Sequence, residues 1–482
     1  MDSLKGLQPE AVMTYFEALT KIPRGSGNEQ AVSDYLVAFA KEHSLEVIQE
    51  PCNNVIIKKP GTKGYENAKT VILQGHMDIV CVKEDTLEFD FEKDPIPLVV
   101  EGDFIRTAGT TLGADNGIAV AMTMAILASK ELAHPPIVGL VTVDEEAGMG
   151  GVMALNPDNI SGDILINIDS EEEGVALSSC AGGVRSALKV PVTSVALESG
   201  FKSYKLVISG LKGGHSGIEI NKNRANAIKL LGRTLETLCA KTDCRFGCVT
   251  GGDKMNAIAK YVEVEIAVCD KDVLMFEEVV QDLQKQFRNE YELADGEITL
   301  TLTATDIKMV FDLVSMNAVI SAMRLIPFGP QTMSEGIQGL VESSSNVGVL
   351  STLGGEVILE SATRSSVATL KDEITDRISL IATLVGGEQE LTSPYPEWAF
   401  KPESEIRELM KVVYKEVAGA ELKIDAIHAG LECGFLKEKV GDIDMISIGP
   451  NMADVHTPQE HVSISSVERV YKFLVEVLKR IQ

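Results

Sequence analysis

The chain of 482 residues is longer than one hydrophobic core usually spans, and 45% hydrophobic residues exclude a disordered chain, so two packed domains are expected. A formal charge of −27 excludes a nucleic-acid binder, because no basic patch would overcome repulsion from phosphate. Eight cysteines are too sparse for a disulfide scaffold, and no run of about twenty apolar residues offers a membrane span. The start Met1-Asp2-Ser3-Leu4-Lys5 also lacks the basic-then-apolar pattern of a secretion signal, so the expected location is the cytoplasm.

Residues 28–43 predict an amphipathic helix, because Val32, Tyr35, Leu36 and Phe39 recur at helical spacing. Val55-Ile56-Ile57 and Val71-Ile72-Leu73 read as strands, and the second runs into Gly75-His76-Met77-Asp78. A small-residue helix over Ile118 to Ala128 follows Gly113-Ala114-Asp115-Asn116-Gly117. A buried strand from Ile137 to Val143 leads into Asp144-Glu145-Glu146, and another, Ile164 to Ile168, ends at Asp169. Strands alternating with helices predict an α/β fold with a largely parallel or mixed sheet, whose reactive groups gather at strand ends.

Near residue 190 the pattern changes. Alternating strands at 204–208, 261–266, 298–303 and 357–361 are separated by helices at 222–240, 272–291, 316–326 and 370–385, which predicts an α+β layer. Thr392-Ser393-Pro394-Tyr395-Pro396 reads as a hinge back, followed by a helix at 403–418, a strand at 445–448 and a last helix at 465–481. The expected arrangement is a mixed-sheet catalytic domain built from 1–190 and 395–482, interrupted by a lid over 191–394.

The chemistry is concentrated at the strand ends. His76 and Asp78 are two apart, so on extended backbone they face one way; Asp78 can then fix the imidazole tautomer and leave the other nitrogen for a metal. Asp115, among glycines at a helix start, reads as a helix cap or as a carboxylate shared between two metals. Of Glu145 and Glu146, one could bind metal while the other reaches a water. Asp169 is chosen over Glu171-Glu172-Glu173, which read as a solvated acidic edge. Of the seven histidines, His456 in Asp454-Val455-His456-Thr457-Pro458 and His461 compete for the last ligand position, while His43 and His134 receive no role.

In the lid, His215 lies in Gly213-Gly214-His215-Ser216-Gly217, a surface turn or a loop able to swing over a cleft. Arg364 could hold a carboxylate bidentately or pair with a surface acid. The glycine-rich loop His428-Ala429-Gly430-Leu431-Glu432-Cys433-Gly434 could lie against a ligand, and Cys239, Cys244 and Cys248 read as buried thiols, not as a metal cluster. The oxygen and imidazole donors suffice for two divalent metals with a spare carboxylate, which predicts metal-assisted hydrolysis.

Taken in order, these runs resemble the aminoacyl-histidine dipeptidases, within the wider zinc family of aminoacylases, dipeptidases and glutamate carboxypeptidases. The resemblance is carried by Gly75-His76-Met77-Asp78, Asp115, Glu145-Glu146, Asp169, Gly213–Gly217, His428–Gly434 and Asp454–Pro458, nearly the whole chain. It implies His76, Asp115, Glu146, Asp169 and His456 as ligands of two divalent ions, with Asp115 bridging; zinc is the first expectation, and the donor set also accepts cobalt or manganese. It implies that Asp78 orients His76, that Glu145 is the general base and that His215 steadies the oxyanion. Arg364, His428 and Gly430 would hold the substrate's carboxylate, and the protein would be a homodimer. The implied activity is hydrolysis of unblocked dipeptides, Xaa-His especially. An aminoacylase acting on N-acyl amino acids and a metal-stabilised binding protein without catalysis are the rival expectations.

Overall fold

A computed structural model describes residues 3–482, so Met1 and Asp2 of the N-terminal run fall outside the described residues. Two compact units are formed. One comprises the chain up to Ser179 with Phe400–Ala426 and Leu431–Gln482; the other comprises Cys180–Ala399 and Ile427–Gly430.

The first unit is built on an eight-stranded sheet in the order Glu46–Gln49, Val55–Lys59, Ile137–Thr142, Val71–His76, Ile164–Asn167, Asp444–Ser447, Val175–Cys180, Lys423–Ile427. The four strands from Ile137–Thr142 to Asp444–Ser447 are mutually parallel, and antiparallel strands flank them, so the sheet is mixed. Ile137–Thr142 and Val71–His76 are buried at every residue, the pattern of parallel strands covered on both faces. The covering helices include Glu10–Leu19, Gln30–Glu42, Ala114–Ala128, Glu405–Ala418 and Ile464–Leu478, whose apolar faces join the strands in one core. Ala114–Ala128 is buried nearly all round, which explains its run of small and aliphatic residues.

The second unit holds a nine-stranded antiparallel sheet. Its main path runs Thr299–Ala304, Phe201–Ser209, Val262–Cys269, Cys244–Gly251, Val341–Leu353, Glu356–Ser365, Gly182–Pro191, Glu388–Tyr395, and Gly329–Met333 pairs off Val341–Leu353. Helices Ala227–Lys241, Val273–Glu290, Leu313–Leu325 and Ala368–Leu384 contribute to its core.

Four expectations are corrected here. The second unit begins at Cys180, not near 191, because Gly182–Pro191 pairs on both sides with strands of that unit's sheet. Thr392–Tyr395 is not a hinge: it ends strand Glu388–Tyr395, whose pairing with Gly182–Pro191 merely shifts register there, with Ser393 at φ 49°. The segment after His428 is not all loop, since helix Glu432–Val440 starts inside it and strand Lys423–Ile427 leads to it. Among the cysteines, Cys244 is buried and the Cys239 and Cys244 sulfurs are 2.9 Å apart, but Cys248 is exposed, so the three do not form one buried set. No helix among the described residues is long and apolar enough to cross a membrane.

Candidate active site

The C-terminal ends of the four parallel strands carry the acidic and imidazole groups, the location where open α/β sheets place their ligands. His76 is the last residue of its strand. Beyond Ile137–Thr142 the chain turns through Asp144, which adopts left-handed backbone at φ 53° and ψ 34°, into one helical turn, Glu145–Gly148. Asp169 lies two residues past Ile164–Asn167, and His456 follows Asp444–Ser447 in an irregular stretch.

These groups converge on Asp115. Its Oδ1 is 3.2 Å from His76 Nε2, and its Oδ2 is 3.2 Å from His456 Nε2. His76 Nε2 is also 3.4 Å from Asp169 Oδ1, and His456 Nε2 is 2.9 Å from Glu146 Oε1. Two sets result: His76 with Asp169 on one oxygen of Asp115, and His456 with Glu146 on the other. One donor atom from each of His76, Asp115 and Glu146 lies within 4.8 Å of the others, a spacing at which a metal ion can be shared. His461 stays apart, with its ring edge-to-face against Phe104 and its Nδ1 3.0 Å from the carbonyl of Gln459.

The electrostatics ask for positive charge. Burial opposes a charge on His76, yet Asp169, Asp115 and Asp78 outweigh it and hold the imidazole well above its ordinary value. Hydrogen bonds to Asp115 and Glu146 push His456 up to about 10. Burial raises the Asp115 carboxyl, but His456 and His76 more than offset this and hold it below the usual range; Asp169, buried beside Asp115 and Glu146, is pushed up to about 6. Three carboxylates thus draw protons onto two imidazoles that face one another across Asp115. Divalent cations would supply that charge and leave both imidazoles neutral, so the donor set fits a pair of them.

Asp78 is fully buried. Its Oδ1 accepts the backbone N–H of Glu145 at 3.0 Å, and its Oδ2 accepts that of Glu146 at 3.2 Å and the hydroxyl of Ser26 at 2.8 Å. His76 Nδ1 is 3.1 Å from the Asp78 carbonyl and 3.4 Å from its Oδ1, which fixes Nδ1 as the protonated nitrogen and turns Nε2 toward Asp115. One carboxylate therefore sets both the His76 tautomer and the place of the Glu145-Glu146 turn. Burial pushes the Glu145 carboxyl up to about 9, with Asp169, Glu432 and Glu146 adding to the rise against His76.

Several polar groups of this region escaped the sequence reading. Glu432 is fully buried; its Oε2 accepts from Gln74 at 2.6 Å and from Thr142 at 2.8 Å, and Gln74 continues through Asn167 to Ser447, so a polar chain crosses the parallel strands. Arg24 and Glu460 are also buried. Glu173 is not solvated as expected: both its oxygens accept from Arg469 at 2.6 Å, which covers its side chain; Glu172 is exposed, while burial of the Glu171 carboxyl, with Asp115 and Asp169 near it, pushes it up to about 7.

In the second unit, His215 Nδ1 accepts the N–H groups of Gly217 and Ile218 at 3.2 and 3.3 Å, which leaves the proton on Nε2. Burial and the neighbouring Arg364 hold this imidazole below its ordinary value, hence neutral. Arg364, on strand Glu356–Ser365, donates from Nη1 to the Tyr395 hydroxyl at 2.7 Å. His428 Nε2 is 2.7 Å from Ser344 Oγ, and burial with Arg364 and His215 pushes the imidazole down to about 3. Gly430 belongs to the same short segment, Ile427–Gly430, that returns to this unit.

The family model described as Peptidase family M20/M25/M40 matches residues 72–480. The chain belongs to this peptidase family. It is 36% identical, over all of its own length and 99% of the relative's, to the cytosol non-specific dipeptidase of Escherichia coli. The crystal structure of aminoacylhistidine dipeptidase from Vibrio alginolyticus superposes with a TM-score of 0.96 at 37% identity, covering 99% of this chain and 98% of that one. Aminopeptidase PepT from Bacillus cereus, at a TM-score of 0.56 and 14% identity over 98% of this chain and 99% of that one, shares the fold alone. The M20 chain is thus a hydrolase of the peptidase class, and a non-catalytic binding role is set aside.

Proposed function

We propose that this peptidase hydrolyses unblocked dipeptides, Xaa-His among them, at a two-metal centre, in the cytoplasm and as a homodimer. The observation that carries the reading is the division of Asp115 between two imidazole–carboxylate sets, with Glu145 near enough to feel the charges of His76, Asp169 and Glu146. The names and full-length similarity of the Escherichia coli and Vibrio alginolyticus proteins support the dipeptide substrate and the compartment.

His76, Asp169 and Asp115 would hold one ion, and His456, Glu146 and Asp115 the other; the mixed oxygen and imidazole set suits zinc and accepts cobalt or manganese. When bound, the pair would acidify a water and offset negative charge developing on the substrate. Glu145 accepts the proton of the attacking water and returns it to the departing amine. Asp78 keeps His76 in one tautomer and Glu145 in place through its peptide N–H. By the resemblance, His215, which has its proton on Nε2, would serve the oxyanion, and Arg364, His428 and Gly430 would serve the substrate carboxylate.

The test is a hydrolysis panel on metal-reconstituted protein. β-Alanyl-histidine and other free dipeptides are the expected substrates. Turnover of N-acetyl amino acids with none of dipeptides would replace this reading by the aminoacylase one.

A further inference from the structure

We propose that Glu460 and Arg24 form a buried clamp whose task is to hold the backbone that presents Asp115, which makes both of them positioning residues of the metal centre. This rests on the two-metal reading above.

The Glu460 carboxylate accepts four successive peptide N–H groups. Its Oε2 takes those of Leu112 and Gly113 at 2.7 and 3.1 Å, and its Oε1 takes those of Ala114 and Asp115 at 2.8 and 3.3 Å. Arg24, 1% exposed, holds the same turn by its carbonyl: Nη2 donates to Gly113 at 2.6 Å, while Nη1 donates to Met77 at 2.8 Å, between His76 and Asp78. Glu460 itself is four residues after His456. Three ligand-bearing segments, 76–78, 112–115 and 456–460, are therefore tied by two buried side chains of opposite charge, neither of which reaches the ligand atoms.

The glycines of the motif are explained by the same clamp. A Cβ on Gly113 would come within 2.8 Å of Arg24 Nη2, and one on Gly117 within 2.5 Å of the same atom. Gly113 also has φ +67°, which glycine adopts without strain. The guanidinium shares the space beside the turn with Ile79 and Phe16. A carboxylate is required at 460 because only two acceptor oxygens can serve four N–H groups; an amide would turn an NH2 toward two of them. Such support of a ligand by its neighbours typically governs metal affinity by 10–100-fold.

The experiment compares Zn²⁺ binding to wild type and Glu460→Gln by chelator competition, with amide hydrogen exchange on the metal-free wild type. The clamp predicts that Glu460→Gln binds Zn²⁺ about 10–100-fold less tightly, and that excess Zn²⁺ restores most of kcat with KM little changed. It also predicts that the 112–115 amides of metal-free wild type exchange slowly. Two ions held within twofold of wild type by a folded Glu460→Gln would overturn the proposal. So would fast exchange of the 112–115 amides, a readout that stands even if the variant does not fold. A wild type that binds no Zn²⁺ counts against the metal reading instead, and the exchange data then decide the clamp alone.

Discussion

Replacing Asp78 by Asn tests whether one buried carboxylate governs both His76 and the Glu145-Glu146 turn. The amide is nearly isosteric, so packing is kept. Wild-type Oδ1 faces the Glu145 N–H at 3.0 Å and His76 Nδ1 at 3.4 Å, and Oδ2 faces the Glu146 N–H at 3.2 Å. Either orientation of the amide sets an NH2 against one of these peptide N–H groups. A buried donor left without an acceptor costs about 1–3 kcal/mol, roughly 5- to 150-fold in an equilibrium constant. Loss of the anion behind His76 weakens that ligand further. Metal affinity is therefore expected to fall by about 10–100-fold, with kcat/KM falling at least as far at limiting metal. Chelator competition and steady-state kinetics across a metal titration measure both. An Asp78→Asn protein with metal affinity and kcat/KM within twofold of wild type would refute the reasoning.

Glu145→Gln is expected to keep its metal content by elemental analysis while kcat drops by about 10²–10⁴-fold, the contribution of a positioned base; a drop of less than tenfold would remove Glu145 from that role. Gly449→Ala should destabilise the protein by about 1–3 kcal/mol or more, because the new Cβ would fall 1.5 Å from the Ser170 carbonyl, next to Asp169; an unchanged melting temperature would contradict this. His428 is held neutral in the folded chain, with its pKa near 3, while the unfolded chain takes up the proton below about 6.5. Its contribution to stability is complete above about 6.5 and is lost as pH falls toward 3, so wild type should lose about 2 kcal/mol more than His428→Gln between pH 6.5 and 5, measured by denaturant unfolding. Equal losses in the two proteins would mean that the imidazole titrates normally.

The strand-end signals were legible because each is local. A fully buried strand such as Val71–His76 opens on an apolar run, Val71-Ile72-Leu73, and the residues that follow lead to the imidazole at its tip. The convergence of His76, Glu146, Asp169 and His456 around Asp115 was not legible from spacing, which left His456 and His461 level; the resemblance separated them, and the geometry keeps His461 against Phe104. Buried charges were missed because pattern reading assigns charged residues to the surface. Arg24, Glu432 and Glu460 find their partners 53 to 358 positions away in sequence, and no local signal marks such pairs. The strand Gly182–Pro191 has no place in the sequence analysis; what makes it a strand is pairing with Glu356–Ser365 and Glu388–Tyr395, both far along the chain. Ser393-Pro394 misled for the same reason: a local breaker was outweighed by the sheet on which it lies.

The most direct test of the central claim is the number of divalent ions bound per chain in wild type and in His456→Ala, by elemental analysis after removal of loosely held metal. The account predicts two ions in wild type and the loss of one, that shared by His456, Glu146 and Asp115, in the variant. A wild type that retains fewer than two, or a variant that still retains two, would contradict it.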